Sequence, residues 1–209
     1  MDNNQTPKPY QRDWNWAGHK QDAIARHIMS ITFSGMYFVY QVYDVDNDMV
    51  YRNADIDLLV VKNNLVGGAY EPVSSIEIKA DTYGYVQGKK YIFVETVSND
   101  SKGTQGWIYT TAAEYILYYF ILLDQYIMVK TSILRSAVEQ ADARGYKRRK
   151  ANTYSPDNRR LIYSSHGVLV PVDDILQDCY CQRMMYPKIT VEQAAQELSI
   201  PLKPIIKQY

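Results

Sequence analysis

Polar and apolar residues alternate with a period of two over Ser75-Ile-Glu77-Ile-Lys79-Ala, the spacing of a strand whose successive side chains point to opposite faces. Asp57-Leu-Leu-Val-Val is a continuous apolar run opened by an acid, and Tyr91-Ile-Phe-Val-Glu95-Thr-Val is rich in aromatic and β-branched residues; both patterns suit buried strands. These three segments predict central strands over Asp57–Lys62, Ser74–Ala80 and Tyr91–Val97. Met36–Asp44 and Tyr126–Thr131 predict two more. Asp46-Asn47-Asp48 reads as a turn after which Met49–Arg52 pairs back as a short strand. Between the strands lie loops over Asn63–Glu71, with Gly67-Gly68, and over Gly84–Lys90, and a flexible polar loop over Ser98–Gly106.

Helical periodicity is weaker. Asp13 is placed to cap a helix over Trp14–Ile31, and Ser132–Arg144 forms an amphipathic helix ended by Gly145. Thr110 or Thr111 can start a helix that turns Tyr115, Ile116, Tyr119 and Phe120 inward, yet Tyr115–Leu123 has the composition of a strand. Leu161–Ser164 and Val168–Val172 read as a hairpin around His166-Gly167, followed by a short helix capped by Asp173 or Asp174. Thr190–Ser199 resembles the first helix of a helix-turn-helix with no second helix after it, so it reads as a packed terminal helix. The fold expected is α/β, a mixed central sheet flanked by helices. Residues 1–12 form a flexible segment, 13–186 the main domain and 187–209 a helical appendage.

Length and composition narrow this only slightly. The chain has 209 residues, with 23 Lys and Arg against 23 Asp and Glu, so no global field marks a nucleic-acid binder and a local basic patch has to serve. Tyrosine is abundant, at 20 residues, and offers stacking faces as well as core volume. Cys179 and Cys181 are too close in sequence to bridge easily, which predicts reduced thiols and a cytoplasmic protein. No signal peptide and no apolar run of membrane-spanning length is evident.

The chemistry concentrates on the central strands. Glu77 and Lys79 share a face, and unpaired charges on a buried strand are costly. Asp57 opens the neighbouring strand, with Asp55 as the alternative acid on the same side. Two carboxylates supply hard oxygen ligands for Mg²⁺ or Mn²⁺, and the lysine suits a phosphate or a metal-bound water. The competing reading is an ordinary ion pair between Glu77 and Lys79.

Asp57…Glu77-x-Lys79 resembles the PD-(D/E)XK, or restriction-endonuclease-like, nuclease superfamily. The resemblance runs from about residue 50 to 130 and is similar to small phage and prophage members. It continues through Lys79-Ala80-Asp81, then Glu95 with Ser98, the Gly106-Trp107 turn and Ala113-Glu114-Tyr115, where Glu114 replaces the usual Asp. It implies a metal-dependent deoxyribonuclease with Asp57 and Glu77 as metal ligands and Lys79 as the catalytic lysine. Glu95 is then a further ligand or a helper to Lys79. Many members carry a glutamate on the first helix; here Lys20, Gln21 and Asp22 occupy that helix, and Gln21 is the nearest substitute. Cleavage of both DNA strands by such a fold implies a homodimer. Lys147, Arg148, Arg149 and Lys150, with Arg159 and Arg160, form the strongest basic cluster and are expected in a loop that contacts DNA phosphates, helped by Lys89 and Lys90. Trp107 is either a core plug behind the site or a base-stacking surface, and His166 a turn residue. The alternative function is a catalytically inactive protein of the same fold that binds nucleic acid or a host protein.

Overall fold

The computed structural model describes residues 18–34, 40–63, 70–81, 85–86, 89–120, 123, 125–154, 160–177, 188–189 and 191–199. Two sheets and a helical layer make up the described architecture. The first sheet is built from β1 (Tyr40–Asp44), β2 (Leu58–Asn63), β3 (Tyr70–Asp81), β7 (Tyr115–Phe120) and β8 (Gln125–Lys130), in the order β1-β2-β3-β7-β8. It is mixed, because β3 and β7 run parallel while the other pairs are antiparallel. β3, which carries Glu77 and Lys79, is therefore the middle strand. The second sheet takes the order β4-β5-β10-β9, from β4 (Tyr85–Val86), β5 (Lys89–Asn99), β9 (Lys147–Tyr154) and β10 (Leu161–Pro171), with β6 (Thr104–Gln105) also paired to β5.

Each face of the first sheet has its own core. On one face, α1 (Gly18–Ser34) lays Ile24, Ala25, Ile28 and Met29 against Leu58, Ile76, Ile78, Leu117 and Tyr119. The terminal helix α6 (Val191–Glu197) joins this core through Ala194 and Ala195, and Glu197 meets the His27 ring at 2.6 Å. On the other face, Ile116, Tyr118, Phe120, Ile127 and Val129 pack against Ile92, Val94, Val168 and Val170 of the second sheet and against Leu134 and Val138 of α4 (Thr131–Glu139). The helices thus cover one face of the central sheet, and a second sheet with α4 covers the other. No described helix is long and apolar enough to cross a membrane.

Several elements differ from the sequence expectation. Met49–Arg52 is a helical turn, α2, rather than a strand, because the Asp48 side chain accepts the Val50 amide and caps it. Residues 98–106 are ordered: β5 continues to Asn99, whose side chain caps a 3-10 turn at Asp100–Lys102 before β6. Only Trp107–Thr110 is helical (α3), and Tyr115–Phe120 is the strand alternative. Lys89 and Lys90 open β5 instead of lying in a loop. Lys147–Lys150 begins an edge strand rather than a loop, since β10 offers it a complete antiparallel ladder. Leu161–Pro171 is one long strand with an irregularity at His166/Gly167, not a hairpin, so His166 is a strand residue. A short helix, α5 (Val172–Gln177), follows with Asp173 and Asp174 in its first turn. Asp13, Trp14 and residues 1–12, Arg159, and the cysteines lie outside the described residues, as do the side chains of Lys20, Gln21 and Asp22.

Candidate active site

An open cleft of about 320 Å³ lies where β2 begins beside the middle of β3. Asp57, Glu77 and Lys79 line it, together with Arg26, Asp46, Arg52 and Asp55. The register explains the meeting. The Asp57 amide donates to the Ile76 carbonyl at 3.0 Å, so the residue before β2 already belongs to the ladder. Its Oδ2 accepts the Ile78 amide at 2.7 Å, which satisfies a buried backbone donor and holds the carboxylate against β3. Glu77 and Lys79 leave β3 on the face opposite Ile76 and Ile78, as alternation requires.

The two acids line the same cleft and are both buried, Asp57 at 9% and Glu77 at 5% exposure. Burial raises the Asp57 pKa against the opposing effects of the Ile78 amide, Lys79 and Arg26. Burial, with the Asp57 charge added, pushes Glu77 up to about 8 although Lys79 opposes it. The Lys79 ammonium is ion-paired to Glu77 Oε1 and lies 5.6 Å from the centre of the Trp107 ring. Asp55 lines the same cleft in a different setting. It occupies a turn at φ 49°, and its carboxylate accepts the Thr110 hydroxyl. Its charge still raises Glu77.

Glu95 lies on β5 of the second sheet. It is held by a hydrogen bond from Ser165, feels the Lys79 charge, and has its pKa raised by burial. Among the described residues no group of three or more His, Cys, Asp or Glu is arranged to hold a metal ion. The Gly106-Trp107 turn locks this arrangement. A Cβ on Gly106 would fall 2.2 Å from the Glu95 carbonyl oxygen, and the Gly106 amide donates to the Thr96 carbonyl at 2.9 Å. Only glycine lets the turn lie this close to β5. Trp107 is half-buried against the core between the sheets, so it plugs the core and also lends its face to Lys79.

Two features had no sequence signal. Arg26 reaches from α1 to Asp46 at 3.1 Å and to Asp57 at 3.7 Å; within the helix it reads as any solvated arginine. A second cleft, of about 430 Å³, adjoins the first through Lys79 and is lined by Phe93, Trp107, Tyr118, Arg149, Lys150, Asn152 and Tyr154 among others.

The basic cluster is only partly brought to this region. Arg149 and Lys150 line the second cleft, whereas Lys89, Lys90, Lys147, Arg148 and Arg160 line neither. Arg148 is paired with Asp142 at 3.1 Å, and Lys150 with Asp100 at 3.3 Å. Asp100 also meets the His166 ring at 3.1 Å, and its pKa is lowered by the hydrogen bonds from His166 and Lys150.

Comparison with protein-family models, with characterised proteins and with solved structures finds no match to this chain. The functional reading therefore stands on the site itself.

Proposed function

We propose that the protein is a metal-dependent nuclease that hydrolyses phosphodiester bonds in DNA, built on a restriction-endonuclease-like sheet. The observation that carries this reading is the convergence of two buried carboxylates, Asp57 and Glu77, on one open cleft, with Lys79 ion-paired to Glu77 at its wall. Two acids this close repel unless a proton or a cation lies between them. Two hard oxygen ligands fit Mg²⁺ or Mn²⁺, ions that take one or two protein carboxylates and complete their shell with water and substrate phosphate. Asp57 and Glu77 would hold the ion, which when bound supplies charge neutralisation and an acidified water.

The chain's own groups do the rest. The Lys79 ammonium meets the phosphate and offsets the charge that grows on its oxygens in the transition state. Glu95, steadied by Ser165, keeps that ammonium charged and aimed. The Trp107 face supports it from the core side. Arg149 and Lys150 meet phosphates further along the strand.

The test is cleavage of plasmid and single-stranded DNA by the purified protein in Mg²⁺, Mn²⁺ and EDTA. Cleavage in either metal, abolished in Lys79→Ala and Glu77→Ala with folding retained, is the expected result. A second reading, an inactive protein of this fold that binds nucleic acid or a host protein, is favoured by one observation: Arg26 and Lys79 already give both carboxylates cationic partners. A calorimetric Mn²⁺ titration with no heat, together with no cleavage under any condition, would select it.

A further inference from the structure

The second cleft has the chemistry of a site for unpaired nucleotides. One wall is the edge strand β9, which brings Arg149, Lys150, Asn152 and Tyr154 to the cleft. The other wall holds Phe93 and Trp107, both half-buried. Tyr154 is 45% exposed. Arg149 is exposed and, among the described residues, pairs with no carboxylate. Asn152 is held in place by its neighbours, since its Oδ1 accepts the Ser164 hydroxyl at 2.8 Å and its Nδ2 donates to the Tyr154 hydroxyl at 3.1 Å. The Phe93 ring lies so close to β10 that a Cβ on Gly167 would fall 2.6 Å from it. A glycine at that position is what lets the ring settle there. The cleft joins the acidic one at Lys79, which lines both.

We propose that this cleft binds the unpaired bases of a single DNA strand, so that the substrate of the neighbouring site is single-stranded DNA or a single-stranded end or flap. The proposal deepens, and rests on, the reading of the Asp57–Glu77–Lys79 cleft as a phosphodiester site. Aromatic faces capture bases only when those bases are out of the duplex stack, because in a duplex each face is already covered by its neighbours. A volume of about 430 Å³ falls inside the roughly 300–1,000 Å³ range of small-molecule pockets, which suits one or two nucleotides and not a duplex. Arg149 and Lys150 give the accompanying phosphates their counter-charge, while Tyr154, Trp107 and Phe93 offer the stacking surface. Lys79, shared by both clefts, then marks where the strand passes from the stacking wall to the carboxylates.

The experiment is fluorescence anisotropy of an end-labelled single-stranded DNA of mixed sequence and of the same sequence as a blunt duplex. Both are measured in EDTA so that binding is read without cleavage, and both are then assayed for cleavage in Mg²⁺. The expected result is single-strand binding at least about tenfold tighter than duplex binding. Tyr154→Ala and Arg149→Ala, both at exposed positions, should each weaken it, Tyr154→Ala by at least about fivefold, the low end of one lost stacking contact. Arg149→Ala should also lower the salt slope by about 0.7, the single-strand value for one phosphate. Equal or tighter duplex binding, or unchanged binding in both variants, overturns the proposal even if the protein cleaves duplex DNA. Tight single-strand binding lost in both variants upholds it, even if absence of cleavage sinks the nuclease reading.

Discussion

At the scale of single residues, Glu77 carries the strongest electrostatic signature. Its folded pKa, about 8, lies above the ordinary value of 4.5, so between those two values the native state holds a proton that the unfolded chain has released. Stability of the metal-free protein should therefore fall as pH rises from about 4.5 to 8 and level off above. One pKa unit corresponds to about 1.4 kcal/mol, which bounds the effect at a few kcal/mol. Thermal melts in EDTA from pH 4 to 9 should show this decline in the wild type and a much flatter profile in Glu77→Gln. A wild-type profile that rises across that window would contradict the burial argument for Glu77. Glu77 and Lys79 were legible as a pair because alternation along one strand is a local property. Arg26 was not, because its approach to Asp57 is set by how α1 seats on the sheet.

At the scale of elements, the turn at Gly106 and the strand β9 make opposite predictions. Gly106 faces backbone, the Glu95 carbonyl group and the Thr96 carbonyl carbon, so a methyl group there cannot be accommodated by rotating a side chain. Gly106→Ala should cost about 1–3 kcal/mol or more, the range for forced overpacking, read as a lower urea midpoint. It should lower any cleavage activity as well, since the turn positions Trp107 and borders Glu95. In β9, Lys147, Arg148, Arg149 and Lys150 are all exposed, so replacing the four with Ser should change stability by no more than about 0.5 kcal/mol per site. DNA affinity should drop at every sequence tested, because phosphate contacts position rather than specify. The magnitude of the salt slope should fall with it, by about 0.7–0.9 for each phosphate contact removed; an unchanged slope would return these cations to a solvated edge. The same stretch shows why a loop was expected there: four consecutive cations have no periodicity, and it is the apolar neighbour β10 that supplies the ladder. Met49–Arg52 erred the other way, as its apolar residues suggested a strand while one capping carboxylate at Asp48 made a helical turn.

At the scale of the whole molecule, the site is a junction. The acids come from the first sheet, Glu95 from the second, Arg26 from the helical layer, and the basic strand from the far edge. The layering matters to function because Lys79 can touch both clefts only where the two sheets meet. The helical layer depends on small residues in α6, where Ala194 and Ala195 are fully buried against α1. Ala195→Leu should overpack that contact and cost about 1–3 kcal/mol, seen as a lower urea midpoint at unchanged m-value. An unaltered midpoint would mean that α6 docks too loosely to steady α1 and, with it, Arg26.

Alternation and apolar runs by themselves determined the central strands, the shared face of Glu77 and Lys79, and the candidacy of Asp57, because a strand's period is written in adjacent residues. They also left open whether Tyr115–Phe120 was helix or strand, since both can bury the same apolar run. Tertiary structure decided that question by offering β3 and β8 as ladder partners. It set the Asp57 carboxylate against the Ile78 amide through the register with β3, and brought Glu95 within range of the Lys79 charge by stacking a second sheet on the first. It also divided the basic cluster, pairing Arg148 and Lys150 with Asp142 and Asp100 while leading Arg149 and Lys150 to the second cleft. Apart from the local Arg148–Asp142 pair, those outcomes depend on contacts between residues tens of positions apart, whose formation is governed by burial and ladder pairing rather than by any pattern along the chain.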